Sequence, residues 1–359
     1  MIVRTLGDSG IRVSGMGVGC WAIGGPDTNL GLPMGWGEVP ESAALAGLQH
    51  AFEGGATLFD TADIYGHGRS ERRIGRLVSQ VRREQIQLVS KVGYFAGTAA
   101  HGYDPGHMRR QLEQSLDNLN TDYLDVYFFH HSEFGPGNHR LGLAVETMHS
   151  FLDEGLIRAI GMRGPHRYAP DRLASGPKAD KNTQFRDLFA QIRPQVLAVR
   201  DNLLTPQSRS TSIFSFAEKH GCGVLINKPL AQGLLTGSYT NAVARIFGPA
   251  DHRARKRWFT PPAIELIEHG LDQVRALVGD RPQDVIGVAL WSCLARSANA
   301  AVLVGFANSE QVEVNLAGMA HRPEDEVIER VRAIMADVQR QLDASGEVFV
   351  DETPVGAWS

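Results

Sequence analysis

The chain has only three cysteines in 359 residues, Cys20, Cys222 and Cys293. An odd number of widely separated thiols gives neither a disulfide framework nor metal-ligand spacing, so no resident metal is expected and a reducing compartment is. An excess of charge of one sign is also missing. The 36 basic and 40 acidic residues leave a formal net charge of -4, and no basic field calls for nucleic acid or a membrane surface as a partner. No apolar run reaches the length of a membrane span. The opening MIVRTLGDSG lacks the apolar core of a signal peptide. Repeats and low-complexity runs are absent too. The expectation is a cytoplasmic protein, one domain over residues 1–359, with an irregular tail from about residue 340.

What is present is a rhythm of short apolar runs. Candidate strands are residues 15–19 (GMGVG), 56–60 (ATLFD), 86–91 (IQLVSK), 124–130 (LDVYFFH), 156–162 (LIRAIGM), 196–199 (VLAV), 222–227 (CGVLIN) and 301–305 (AVLVG). Several are apolar almost throughout, as parallel strands covered on both faces must be. Helix-like stretches lie between them, at 41–55, 108–120, 142–155 and 284–297. Eight strands alternating with helical or long segments imply an α/β fold, a (β/α)8 TIM barrel. A doubly wound open sheet is the alternative. The long polar segments 92–107, 131–141, 163–194 and 228–262 follow strands, which in a barrel makes them βα loops at the C-terminal face. Residues 176–184 (GPKADKNTQ) are expected to be the most mobile of these.

The chemistry gathers at strand ends. Asp60 closes the second run and Tyr65 follows it in the next loop. Lys91 ends the third run and His130 the fourth. In a barrel all four face one pocket. These types suit carbonyl reduction, in which negative charge builds on the carbonyl oxygen and must meet a proton donor. A tyrosine with a pKa near 10 needs tuning for that task. A nearby ammonium favours phenolate, a carboxylate holds the ammonium charged, and a histidine can position the oxygen. Taken singly, Asp60 is explained as a helix cap, Tyr65 as a packing residue, Lys91 as a snorkelling side chain and His130 as a core histidine. Four such coincidences at the ends of successive strands are a poor explanation.

The same residues carry a family resemblance. FDTADIYG (59–66) is similar to the Asp-Thr-Ala-x-x-Tyr-Gly signature of the aldo/keto reductase superfamily, and SLDNLNTDYLDVYFFH (115–130) resembles its element ending in histidine. LVSKVG supplies the lysine at the matching place. Residues 4–25 resemble the family's N-terminal β-hairpin and first strand. KPLAQGLLTG (228–237) resembles its loop after strand seven, residues 247–259 a bacterial Asp-His-Arg element, and 305–319 the segment at the adenosine end of the cofactor.

The resemblance implies NAD(P)H-dependent reduction of an aldehyde or ketone. Tyr65 would be the general acid, Lys91 would lower its pKa, Asp60 would support Lys91, and His130 would orient the carbonyl. Gly19, Cys20 and Trp21 would meet the nicotinamide end, joined by Arg163 and Asn202. Lys228, Pro229, Leu230, Gln232 and Gly233 would follow the cofactor outward, with Gly305, Ser309, Gln311 and Asn315 at its adenosine end. Trp21, His131 and Arg163 are the candidate substrate contacts. His131 ranks behind His130, because it would point to the other side of the strand end.

Several family handholds are replaced. Arg163 and Gly164 stand where the carboxamide is usually held by Ser-Asn. Ala198 replaces a glutamine, and Asn227 an aromatic that stacks on the nicotinamide. Gln311 replaces the arginine that holds a 2'-phosphate. NADP(H) is the first expectation by family habit and NAD(H) the alternative, with Lys228, Arg253 and Arg255 as either a phosphate clamp or solvated charges. These departures motivate one competing reading, a redox-neutral epimerase or dehydratase, and the resemblance to relatives of this fold adds another, a cofactor-sensing binding protein. Polar loop residues His131, Glu133, Arg163, His166 and Arg167 suggest a small hydroxylated or anionic, sugar-like carbonyl substrate. Both a monomer and an assembly through barrel-side helices fit the sequence.

Overall fold

The computed structural model describes residues 1–29, 32–33, 35–165, 181–240, 247–248, 251–255 and 257–345. A two-stranded antiparallel hairpin, β1 (Val3–Thr5) and β2 (Arg12–Ser14), comes first. The barrel begins with β3 (Met16–Gly19), and a second small hairpin follows, β4 (Thr28–Asn29) with β5 (Leu32–Pro33). The remaining barrel strands are β6 (Leu58–Asp60), β7 (Gln87–Val92), β8 (Val126–Phe129), β9 (Ile160–Arg163), β10 (Val196–Arg200), β11 (Gly223–Asn227) and β12 (Ala300–Gly305). Every neighbouring pair is parallel, and β12 pairs back onto β3, so the sheet closes. All eight expected runs are strands. The open-sheet alternative is excluded by that closure.

The closure follows from two layers of apolar side chains. Inside the barrel, Leu58, Val89, Val126, Phe128, Ala159, Val196, Leu225 and Ala301 form one buried cluster. Large and small residues alternate there as a tapering interior requires. A Cβ on Gly161 would come within 2.6 Å of the Phe128 ring, and one on Gly17 within 2.7 Å of Leu58. Leu6, Ile11 and Val13 of the first hairpin belong to the same cluster, so the hairpin plugs the N-terminal end. The outward faces of the strands pack against the helices in a second, larger cluster. No helix among the described residues is long and apolar enough to cross a membrane.

Element boundaries differ from expectation in three places. The helix expected over 108–120 spans Pro105–Leu119, because Asp104 accepts a hydrogen bond from the His107 amide and Pro105 takes the first position. Residues 181–184, expected in a mobile loop, begin the helix Lys181–Ile192, so 163–194 is not all loop; the rest of that stretch, 176–180, lies outside the described residues. The final helix, Asp325–Ala344, carries regular structure through 340–344, where the tail was expected to be irregular. The remainder of the tail, 346–359, also lies outside the described residues.

Candidate active site

Strand pleating decides which side chains reach the barrel mouth. Alternate residues point inward, and the interior cluster fixes the parity: 58, 89, 126 and 128, 196, 225, and 301 with 303. Two residues further along each strand stand Asp60, Lys91, His130, Ala198, Asn227 and Gly305. Gly19 and Arg163 complete the ring. All eight line one cavity of about 870 Å³, within the range of small-molecule sites.

Asp60 and Lys91 form a buried pair, with Lys91 Nζ donating at 2.7 Å to Asp60 Oδ1 and at 2.5 Å to the Thr61 carbonyl oxygen. The ammonium lies 5.1 Å from the centre of the half-buried Tyr65 ring. Burial alone would lower the Lys91 pKa, but Asp60 and Tyr65 outweigh it and the ammonium is held above its ordinary value. Burial pushes the Asp60 carboxyl up, and Lys91 draws it part of the way back. Tyr65 also moves up: desolvation outweighs the downward pull of Lys91. The sequence-based expectation of a lowered phenol is therefore corrected. Lys91 acts in the expected direction, but removal from water is the larger effect.

His130 closes the group. Its pKa is pushed well below the ordinary value by burial, then by Lys91, Arg163 and His131, so the ring is neutral. Its Nδ1 is buried without a partner among the described residues. The ring is held by edge-on contacts to Tyr65 at 5.8 Å and Tyr94 at 4.6 Å.

An aromatic wall rises beside this floor. Trp21 stacks between Tyr65, at 6.0 Å, and His252, at 4.2 Å, and Trp36 meets both Trp21 and His252. Beyond it the segment 228–237 runs along the cavity with Lys228, Ala231 and Gln232 in the left-handed backbone region. Three non-glycine residues in that conformation are strained, and such strain gathers where a loop is over-determined around a ligand.

The expected contacts divide in two. Trp21, Lys228, Pro229, Leu230, Gln232, Gly233, Gln311 and Asn315 line the cavity, along with the ring residues Gly19, Arg163 and Gly305. Cys20, His131, Asn202 and Ser309 do not. Cys20 follows inward-facing Gly19, and pleating turns it into the helix layer, where its thiol donates to the Val18 carbonyl oxygen. His131 is one residue past His130 and turns outward in the same way; its Nε2 meets Gly93 O at 3.0 Å. Asn202 braces Lys228 by donating to its carbonyl oxygen at 3.1 Å, and so acts on the cavity only through that residue. Ser309 is the first residue of the helix Ser309–Met319, which presents Glu310, Gln311 and Asn315 to the cavity instead.

Arg253 lines the cavity and is already engaged by neighbouring side chains. It pairs with Asp251 and donates to the Tyr239 hydroxyl at 2.8 Å. The Arg255 side chain, and His166 and Arg167 altogether, lie outside the described residues.

The sequence reading missed Trp36, Tyr94, Tyr239, His252 and Glu310 as lining residues. Tyr94, three residues past Lys91, had a positional signal. Trp36 had none, and His252, although it belongs to the Asp-His-Arg element, meets Trp21 and Trp36 only through the fold.

Comparison with known proteins agrees with this architecture. The model of the Aldo/keto reductase family matches residues 15–336. The chain is 27% identical over 327 residues to the NADH-specific methylglyoxal reductase of Escherichia coli, covering 88% of this chain and 92% of that protein. It is 26% identical over 356 residues to the L-galactose dehydrogenase of Arabidopsis thaliana, covering 96% and 97%. Its fold is shared with the solved glycerol dehydrogenase from Gluconobacter oxydans, with a TM-score of 0.72 and 23% identity over 93% of this chain and 95% of that one. With the family model spanning most of its length and a closed eight-stranded barrel beneath the matched segments, the chain belongs to the aldo/keto reductase family.

Proposed function

We propose that the protein is an NADH-dependent reductase of small polar aldehydes or ketones, with Tyr65 as proton donor. The observation that carries this reading is the buried Lys91–Asp60 pair beside Tyr65, with neutral His130 in the same ring. The two relatives above are named for methylglyoxal and for a sugar, which fits a small, polar carbonyl.

The cavity suits a nicotinamide dinucleotide. Asn315 is only 6% exposed, lines the cavity and has no side-chain hydrogen bond among the described residues, leaving an amide to pair with a base. Asn227, in the floor ring, also has an uncommitted amide. It would hold the carboxamide in place of the replaced family contacts, which removes the main motive for a redox-neutral reading. At the opposite end, Glu310 lines the cavity, while the Gln311 side chain is engaged by the Ala307 amide at 2.8 Å. A carboxylate there suits a ribose 2'-hydroxyl and opposes a 2'-phosphate. That carboxylate supports reading NADH as the cofactor in place of NADPH, the expectation from family habit.

When bound, the reduced nicotinamide supplies a hydride to the carbonyl carbon. Tyr65 gives its proton to the carbonyl oxygen as charge develops there. Its raised pKa keeps that proton in place at neutral pH. Lys91 stabilises the phenolate left behind, and Asp60 keeps Lys91 charged and oriented. Neutral His130 offers an N–H to the oxygen without adding a competing charge.

Two results are expected. Titration followed by tryptophan fluorescence, with Trp21 in the cavity wall, should show NADH binding about tenfold tighter than NADPH, or about 1.4 kcal/mol. Glu310→Arg should narrow or reverse that ratio. Binding of neither cofactor, or no cofactor oxidation with any aldehyde, removes the reductase reading. The pH dependence has a definite sign as well. Reduction needs protonated Tyr65, whose pKa lies above its ordinary 10.0. The reduction rate should be level through neutral pH and fall only in strongly alkaline solution, while alcohol oxidation should rise there. A fall in reduction between about pH 7 and 9 would point to a donor other than this tyrosine.

A further inference from the structure

Three charged side chains stand in the floor ring, and two of them neutralise each other: Asp60 pairs with Lys91. Arg163 is the third. It is half-buried and lines the cavity. Among the described residues it forms no ion pair; its Nη1 donates to the Tyr94 hydroxyl at 3.3 Å and to the His130 carbonyl oxygen at 3.4 Å. Both acceptors are neutral, and a guanidinium has five N–H groups to satisfy. A cation partly withdrawn from water, with only neutral acceptors, is costly until an anion completes it. Its planar fork matches a carboxylate or a phosphate.

The direction of the side chain says which ligand the anion belongs to. Both contacts lie on the His130 side, and the Tyr94 ring itself meets His130 edge-on at 4.6 Å. On the other side Arg163 is in register with Ala198, which offers no polar group. Beyond Ala198, Asn227 already has an amide for the carboxamide. The guanidinium is thus set beside the group that meets the reacting carbonyl.

We propose, resting on the reductase reading above, that Arg163 binds an anionic group of the substrate. The natural substrate is then a carbonyl compound bearing a carboxylate or a phosphate near the reacting carbon. The arrangement serves chemistry as well as recognition, because a fixed cation near the carbonyl favours negative charge developing on its oxygen.

The test uses the full chain, saturating reduced cofactor and three matched pairs: glyoxylate with glycolaldehyde, succinic semialdehyde with butanal, and glyceraldehyde 3-phosphate with glyceraldehyde. For at least one pair, kcat/KM should favour the anionic member about tenfold or more, the size a charge-assisted hydrogen bond supports. In Arg163→Met that ratio should fall to near one, chiefly through KM, and Arg163→Lys should keep part of it. The carboxylate and phosphate pairs separate the two sources of the anion. A wild-type ratio near one in every pair, or a ratio that survives Arg163→Met, overturns the assignment and leaves the reductase reading intact. So does an unchanged ratio accompanied by lost cofactor affinity. If no pair is turned over, the reductase reading has failed, and Arg163 is judged by binding alone. Oxalate and inorganic phosphate, followed by tryptophan quenching, should then bind the wild type about tenfold or more tighter than Arg163→Met; equal affinities overturn the proposal.

Discussion

Tyr65→Phe should lower kcat for carbonyl reduction by about three orders of magnitude, within the range that a positioned general acid contributes, and leave NADH affinity within a factor of about two. The substitution removes one hydroxyl and keeps the ring. Stacking on Trp21 at 6.0 Å and the edge contact to His130 at 5.8 Å both survive. The Lys91–Asp60 pair survives as well, since each is the other's ion-pair partner. The loss is thus the proton available to the carbonyl oxygen, together with the hydroxyl's own interaction with Lys91. Single-turnover measurements with bound NADH isolate that step from product release. Two outcomes would contradict the assignment: a kcat above a tenth of the wild-type value, or loss of cofactor affinity in proportion to loss of rate. The alkaline fall in reduction rate should also vanish in this variant, because the group that titrates is gone.

Asp60, Lys91 and His130 were legible in the sequence for a physical reason, and Tyr65 through the signature that it shares with Asp60. Parallel strands covered on both faces are almost wholly apolar, so a polar residue at the end of such a run stands out. Period-two pleating extends the same logic. Counting inward from Phe128 or Leu225 identifies His130 and Asn227 as cavity residues, and it excludes Cys20 and His131. Arg163 follows by the same parity within β9. Contacts between one loop and another were not legible. His252 lies 4.2 Å from Trp21 and 4.9 Å from Trp36, although the three come from distant parts of the chain. The Asn202 amide looked like a ligand contact by motif position, yet it holds the Lys228 carbonyl oxygen. The choice between the two cofactors turns on a similar detail: family habit speaks for the position of Gln311, and its neighbour Glu310 brings a carboxylate to the same cavity.

Lys91→Met should damage stability and activity together, and a second substitution should separate them. Removing the ammonium leaves the Asp60 carboxylate buried with no ion-pair partner. Breaking a buried pair in this way typically costs about 3–5 kcal/mol. The carboxyl escapes part of that cost by taking up a proton, since burial already pushes its pKa upward and Lys91 no longer pulls it back. A folded-state pKa above the unfolded value means that the folded protein binds the extra proton, so stability is greatest at low pH and falls as pH rises through the raised pKa. Denaturant unfolding of Lys91→Met at about pH 5 and pH 8 should therefore show the larger deficit against wild type at the higher pH. Asp60→Asn combined with Lys91→Met removes both charges and should recover most of the stability with little pH dependence between those points. Activity should not return. Without the ammonium the main offset to the upward push of burial on Tyr65 is gone, and kcat should stay on the order of a hundredfold below wild type in both variants. Recovery of turnover along with stability in the double variant would show that Lys91 serves the fold and not the proton transfer.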